Sequence, residues 1–141
     1  MSVDGGLRQE FRKRLPDFHW TSIESGLTAA GIPDSNYCKD GVEGWVEFKL
    51  TSSFRVRIDP FQVAWHERRF RARGLTFLAV RYQHGGGPRK GAPIDSLYVY
   101  RGDRIRAVFR EGLSVTPELV FPGGPSAWRW SEVGQLLLTK A

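Results

Sequence analysis

Apolar residues fall into several rhythms along the chain, and together these predict an α/β protein. Leu7, Phe11 and Leu15 recur every fourth residue, with Arg8, Arg12, Lys13 and Arg14 elsewhere on the wheel. A short basic helix is expected over 7–15, closed by Pro16. Alternation takes over after Ser35. Segments 35–38 and 45–50 flank the turn signal Lys39-Asp40-Gly41 and read as an antiparallel hairpin in which Val46, Phe48 and Leu50 share one face. Asp59 is a good N-cap, Pro60 suits a first helical turn and Gly74 is a stop, which predicts a helix over 61–73. At about 100° per residue, that helix would bury Phe61, Ala64, Trp65 and Ala72, with Gln62, His66, Arg69 and Arg73 on a polar stripe to one side. An apolar strand over 76–81 follows, and the strand-helix-strand order implies a right-handed crossover to a parallel neighbour. Segments 96–100 and 105–109 read as a second hairpin around Arg101-Gly102-Asp103-Arg104. Segment 126–138, with Trp128, Val133, Leu136 and Leu137, reads as a closing helix despite Gly134.

The 141 residues fit a single domain, 1–141, with no internal repeat, and the glycine-rich run 85–91 reads as a loop rather than a linker. With 40% hydrophobic residues, the chain can build one core, which sets it apart from disordered sequences. No apolar stretch approaches the roughly 18 residues of a membrane span, and 1–10 lacks the apolar centre of a signal peptide. The expectation is therefore a soluble, intracellular, cytoplasmic protein with no membrane partner. Cys38 is the single cysteine, which excludes an internal disulfide or a thiolate zinc cluster and fits a reducing compartment.

Charge adds the first functional direction. Lys and Arg number 21 against 15 Asp and Glu, a net charge of +6, and 16 of the 21 cations are arginine, the side chain suited to bidentate phosphate contacts and to stacking on bases. Six arginines lie between Arg55 and Arg73, opposed by Asp59 and Glu67 alone. Composition points to an acidic partner such as nucleic acid, and equally to arginine used as an ordinary surface cation.

Glu24, Asp34, Glu47 and Lys49 stand out against this frame. Strand alternation puts Glu47 and Lys49 on one side of their strand, opposite Val46, Phe48 and Leu50. Asp34 closes Gly31-Ile32-Pro33-Asp34, just before the strand that pairs with the one carrying Glu47, so the two carboxylates can approach. Converging carboxylates repel unless a hard cation sits between them, and Mg²⁺ prefers oxygen ligands. Such a site could serve phosphodiester hydrolysis, with Lys49 adding a fixed positive charge beside it. Taken singly, a Glu-x-Lys strand is commonly a solvated ion pair and a Pro-Asp commonly a turn.

Four phrases in order, Ile23-Glu24, Gly31-Ile32-Pro33-Asp34, Gly44-Trp45-Val46-Glu47-Phe48-Lys49 and Gln62-Val63-Ala64-Trp65, resemble the PD-(D/E)XK nuclease superfamily, in particular its VRR-NUC and Holliday-junction-resolvase-like members, among them small phage and prophage proteins. The resemblance covers about 23–80. It implies a restriction-endonuclease-like α/β core, a mixed sheet flanked by helices, with the active site at the splayed end of the first hairpin. It further implies Asp34 and Glu47 as ligands of Mg²⁺, with Mn²⁺ as substitute, Lys49 as the catalytic lysine, and Glu24 as the upstream acid, for which Glu10 and Asp17 are rivals. Gln62 would stand beside the site. The activity implied is metal-dependent endonucleolytic cleavage of DNA, on branched or repair structures, by a homodimer that needs no small-molecule cofactor.

Other classes stay open: a nucleic-acid-binding or assembly module that keeps the fold without turnover, or a nicking or end-processing nuclease on linear or single-stranded DNA. Arg69 and Arg73 with His66, and Arg55 and Arg57 ahead of them, are the candidate DNA contacts, with Arg8, Arg12, Arg89 and Lys90 as an alternative route. His19, His66 and His84 are too scattered for a zinc site. Trp20, Trp128 and Trp130 could stack on bases, although tryptophans in a small domain are more often core. The segments beyond 82, including 96–138, carry no further motif.

Overall fold

A computed structural model describes residues 3–24, 30–85, 91 and 93–141; Arg89 and Lys90 lie outside them. The fold is α/β, an open mixed sheet of six strands in chain order: β1 (His19–Ser22), β2 (Ser35–Lys39), β3 (Val42–Thr51), β4 (Leu75–His84), β5 (Ile94–Arg101) and β6 (Leu119–Phe121). Neighbours are antiparallel except β3 and β4, which run parallel and are joined through α2 (Pro60–Arg71). The remaining helices are α1 (Leu7–Arg14), α3 (Ile105–Glu111) and α4 (Trp130–Leu137). None is long and apolar enough to cross a membrane.

Alternation along the strands divides the apolar side chains into two cores. Val46, Phe48, Phe77, Ala79, Leu97 and Val99 meet Leu7 and Phe11 of α1 and Val133 and Leu137 of α4 on one face. Leu78, Val80 and Tyr100 meet Val63 of α2 and Ile105 and Val108 of α3 on the other. The sheet is thus a middle layer between two pairs of helices, the arrangement that a parallel crossover favours.

The first hairpin forms as its sequence predicts, because Asp40 and Gly41 both take positive φ (52° and 79°), the conformation a two-residue turn needs to match strand twist. Gly44 is required for a different reason: a Cβ there would come within 2.2 Å of the Tyr37 hydroxyl, which is buried and donates to the Leu137 carbonyl of α4. The β2–β3 ladder runs only to Ser35 opposite Val46. Beyond that point Glu47–Thr51 pairs with β4 alone, leaving one edge of β3 open.

Three expectations are corrected. Segment 105–109 belongs to α3, not to a strand; the alternating Ile105, Ala107 and Phe109 mimic strand spacing, but burial of Ile105 and Val108 follows the i, i+3 step of a helix. α2 is a helix, N-capped by Asp59 as expected and further closed by a capping box with Gln62, yet it buries Val63 and His66 and leaves Phe61 66% exposed. α2 also ends at Arg71, and Arg73 follows with φ of 68°, off the helical wheel. β1 and β6, of four and three residues, are too short for a periodic signal.

Candidate active site

The open edge of β3 is the floor of a cleft of 670 Å³ lined by Asp4, Arg8, Asp34, Glu47, Lys49 and Gln62, among others. Asp34 occupies the position where β2 departs from β3, and its Oδ2 accepts from the Phe48 amide at 2.9 Å. The side chain thus replaces a missing ladder carbonyl, which fixes Asp34 against the strand that bears Glu47. Glu47 is 2% exposed. Its Oε2 accepts from Gln62 Nε2 at 3.1 Å and lies 3.8 Å from Lys49 Nζ. Its Oε1 is buried with no hydrogen-bond partner among the described residues.

Burial first, and the neighbouring Asp34 carboxyl second, push the Glu47 carboxyl up to about 9, against the opposing pull of Lys49. The cause is physical: a charged carboxylate loses its hydration there and meets a like group.

Gln62 ties the site to the start of α2. Its Oε1 accepts from Asp59 N at 2.9 Å, completing the capping box, and from Lys49 Nζ at 3.0 Å. The helix start is set in place by Gly31, whose backbone passes so close to Phe61 that a Cβ would sit 2.3 Å from the Phe61 carbonyl, and whose φ is 85°. Asp34, Glu47, Lys49 and Gln62 are therefore brought together as the sequence predicts.

The upstream acid is not. Glu24 is exposed beyond the end of β1 and does not line the cleft. Ile23 stands opposite Asp34, so continued alternation sends Glu24 to the other side. Its rivals fare no better: Glu10 pairs with Arg14 at 3.2 Å, and Asp17 lines a separate cavity beside α4. Among the described residues no three His, Cys, Asp or Glu side chains gather around one point. A Mg²⁺-type ion keeps several of its waters and commonly takes one or two carboxylates; Asp34 and Glu47, whose Oε1 is unpartnered, are donors of that chemistry at the cleft.

The candidate DNA contacts also separate. Arg57 is exposed and lines the cleft, and Arg55 is exposed just before it. Arg69 is exposed and lies over the Trp65 and Trp45 rings, 4.6 and 5.5 Å from their centroids. Arg73 lines a different cavity with Arg101 and Lys140. His66 is fully buried, its Nδ1 paired with Thr76 Oγ1 at 2.5 Å, and burial pushes it down to about 3; it cannot reach a phosphate. A continuous polar stripe along α2 is thereby excluded.

Sequence reasoning did not place Asp4 at the cleft and reached Arg8 only as an alternative contact. The Asp4 carboxylate accepts from the amides of Gly6 and Arg8 at 2.9 and 3.1 Å, a local cap pattern that is readable in retrospect. What carries it to the cleft is long-range. Arg81 Nη1 donates to the Gly5 carbonyl at 2.9 Å while its Nε and Nη2 hold Asp95 at 2.9 and 2.7 Å. No protein-family model matches the chain, and no curated protein matches it.

Proposed function

We propose that the protein is a metal-dependent endonuclease of the PD-(D/E)XK type, hydrolysing DNA phosphodiester bonds in branched or repair intermediates. The observation that carries this reading is the buried, partly unsatisfied Glu47 carboxyl beside Asp34, with Lys49 held at 3.8 Å, at the floor of an open cleft. A carboxyl that costs this much to bury is poor stabilisation and good cation chemistry. Asp34 and Glu47 would hold the metal, which when bound polarises a scissile phosphate and lowers the pKa of a coordinated water.

The chain's own residues supply the rest. Lys49, oriented by the Gln62 carbonyl oxygen at 3.0 Å, presents a fixed positive charge where negative charge gathers on the phosphate in the transition state. Arg57 and Arg8 at the cleft suit the flanking backbone, where charge attracts without reading sequence. Gln62 acts through its neighbours, donating to Glu47 and accepting from Lys49, and so holds the two in register beside each other.

The test is a panel of labelled linear, nicked, flap and four-way-junction DNAs incubated with Mg²⁺, Mn²⁺ or EDTA. Cleavage with either metal and none in EDTA is expected, with branched substrates cut fastest. Binding with no cleavage under any metal would overturn the enzymatic reading in favour of a binding module. Sedimentation of the same sample tests the dimer expected of a junction-cutting enzyme.

A further inference from the structure

Resting on that nuclease reading, we infer that Trp45, Trp65 and Arg69 form a stacking ledge for an unpaired base of single-stranded DNA next to the cleft. Trp45 precedes Glu47 by two residues on β3, on the same face of the sheet, about 6.8 Å along the strand. Trp65 follows Gln62 by three residues on α2, about one helical turn. The two elements that carry the site therefore each carry an indole one step away. The rings meet edge to face, with centroids 5.3 Å apart, and the Arg69 guanidinium lies over both.

Neither apolar core claims these two side chains. Trp20, Trp128 and Trp130 join the core shared by α1 and α4. Trp45 and Trp65 belong to neither core and are only half-buried. The core beneath α2 and α3 takes no residue from β1 or β2, so the sheet beside Trp45 presents Asn36 and Thr21 rather than an apolar layer.

Charge decides what such a surface suits. Arg68, Arg69 and Arg71 crowd this helix, and its one acid, Glu67, is taken by Arg106 at 2.7 and 2.8 Å. Among the described residues Arg69 has no carboxylate partner. Two indoles beside a guanidinium that has no carboxylate partner among the described residues match a nucleobase with its phosphate. Bases inside a duplex are already stacked on one another, so the ledge selects nucleotides that are unpaired, as at a flap or junction.

The experiment measures binding of the full chain in EDTA to a single-stranded oligothymidylate and to an abasic oligomer of the same length, which carries the phosphates without the bases. The wild type is expected to prefer the base-bearing strand by about tenfold, with quenching of tryptophan fluorescence. Trp65→Ala should bind both strands alike at the abasic affinity, and Trp65→Phe should recover most of the preference. Should Trp65→Ala fold poorly, the wild-type preference and the Trp65→Phe variant still decide the matter. Equal binding of both strands by the wild type, or an undiminished preference in Trp65→Ala, overturns the inference. A change from dimer to monomer in Trp65→Ala also overturns it, showing that a second copy covers the ledge. Because no metal is present, a chain that binds as expected but never cleaves fails the nuclease reading alone, and one that cleaves without base preference fails only the ledge.

Discussion

Replacing Glu47 by Gln should stabilise the metal-free fold while disabling the site. In the unfolded chain Glu47 loses its proton near 4.5, whereas in the fold it holds it to about 9. At pH 8 the folded protein keeps a proton that the unfolded chain has released, across three and a half pH units. At 1.36 kcal/mol per unit the ceiling is about 5 kcal/mol, and relaxation of the pocket brings the expected gain to about 3 kcal/mol. A Gln side chain of the same size stays neutral at every pH, so no charge needs to be buried. For a domain of this size the gain is a rise in Tm of roughly 10 °C.

The sign follows from the raised value: stability contributed by the protonated carboxyl is complete below 4.5 and lost as pH rises through 9. His66 works the other way, since its lowered value costs stability as pH falls from 6.5 towards 3. Both proteins share that acid-side loss, so it cancels in the difference between them. The assay is urea unfolding in EDTA from pH 4 to 9, comparing wild type with Glu47→Gln. The gap should be near zero at pH 4 and widen steadily above 4.5. Adding Mg²⁺ should narrow it by stabilising the wild type alone. A variant that is no more stable than wild type at pH 8, or a gap that does not change with pH, refutes the account of Glu47 as a costly buried acid.

Asp34→Asn should lose most of the Mg²⁺-induced rise in Tm measured by differential scanning fluorimetry, and an unchanged rise would move the metal elsewhere. Lys49→Ala should keep DNA affinity by anisotropy within about twofold while the single-turnover cleavage rate falls by at least about a hundredfold; a wild-type rate removes Lys49 from the chemistry. His66→Ala should cost about 2 kcal/mol in urea unfolding through lost packing and leave the salt dependence of DNA binding as in wild type, since a buried ring touches no phosphate. Gly31→Ala should cost more than about 2 kcal/mol, because a side chain there is strained by its φ and strikes the Phe61 carbonyl. It should also slow cleavage by displacing Gln62, and normal stability with normal rate would contradict that tight approach.

The parts of the fold that local chemistry controls were legible. Asp59-Pro60 announced α2, and Asp40-Gly41 set the hairpin whose register brings Asp34 to Phe48. Those two short-range facts were enough to assemble Asp34, Glu47, Lys49 and Gln62. What local pattern could not supply was which of two apolar faces α2 would bury. Phe61 and Trp65 outweigh Val63 in hydrophobicity, and a histidine at 66 counts as polar until Thr76 is found to satisfy one of its nitrogens. The seven residues of α3 are too few to separate a helical from a strand period. Glu24 was misplaced because a motif order fixes sequence distance and not the face to which a chain end turns. Arg8 owes its place in the cleft to the clamp from Arg81 to Gly5, which spans 76 residues and leaves no trace in any window of sequence.

The double engagement of Gln62 has a consequence for how such a site decays over evolutionary time. One carbonyl oxygen caps a helix and holds the lysine, while the amide nitrogen holds the glutamate. Loss of this residue would therefore weaken the scaffold together with the chemistry, because the capping box goes with it. Substitution at Lys49 forfeits activity while leaving the helix cap intact, and loss of the Glu47 charge even favours folding, whereas loss of Asp34 also orphans the Phe48 amide. A lineage released from selection for cleavage should shed Lys49 and the Glu47 charge early and keep the glutamine late. In any descendant of this chain, a surviving glutamine at the helix start is evidence of an intact fold, whereas a surviving Asp-Glu-Lys set is evidence of a working one.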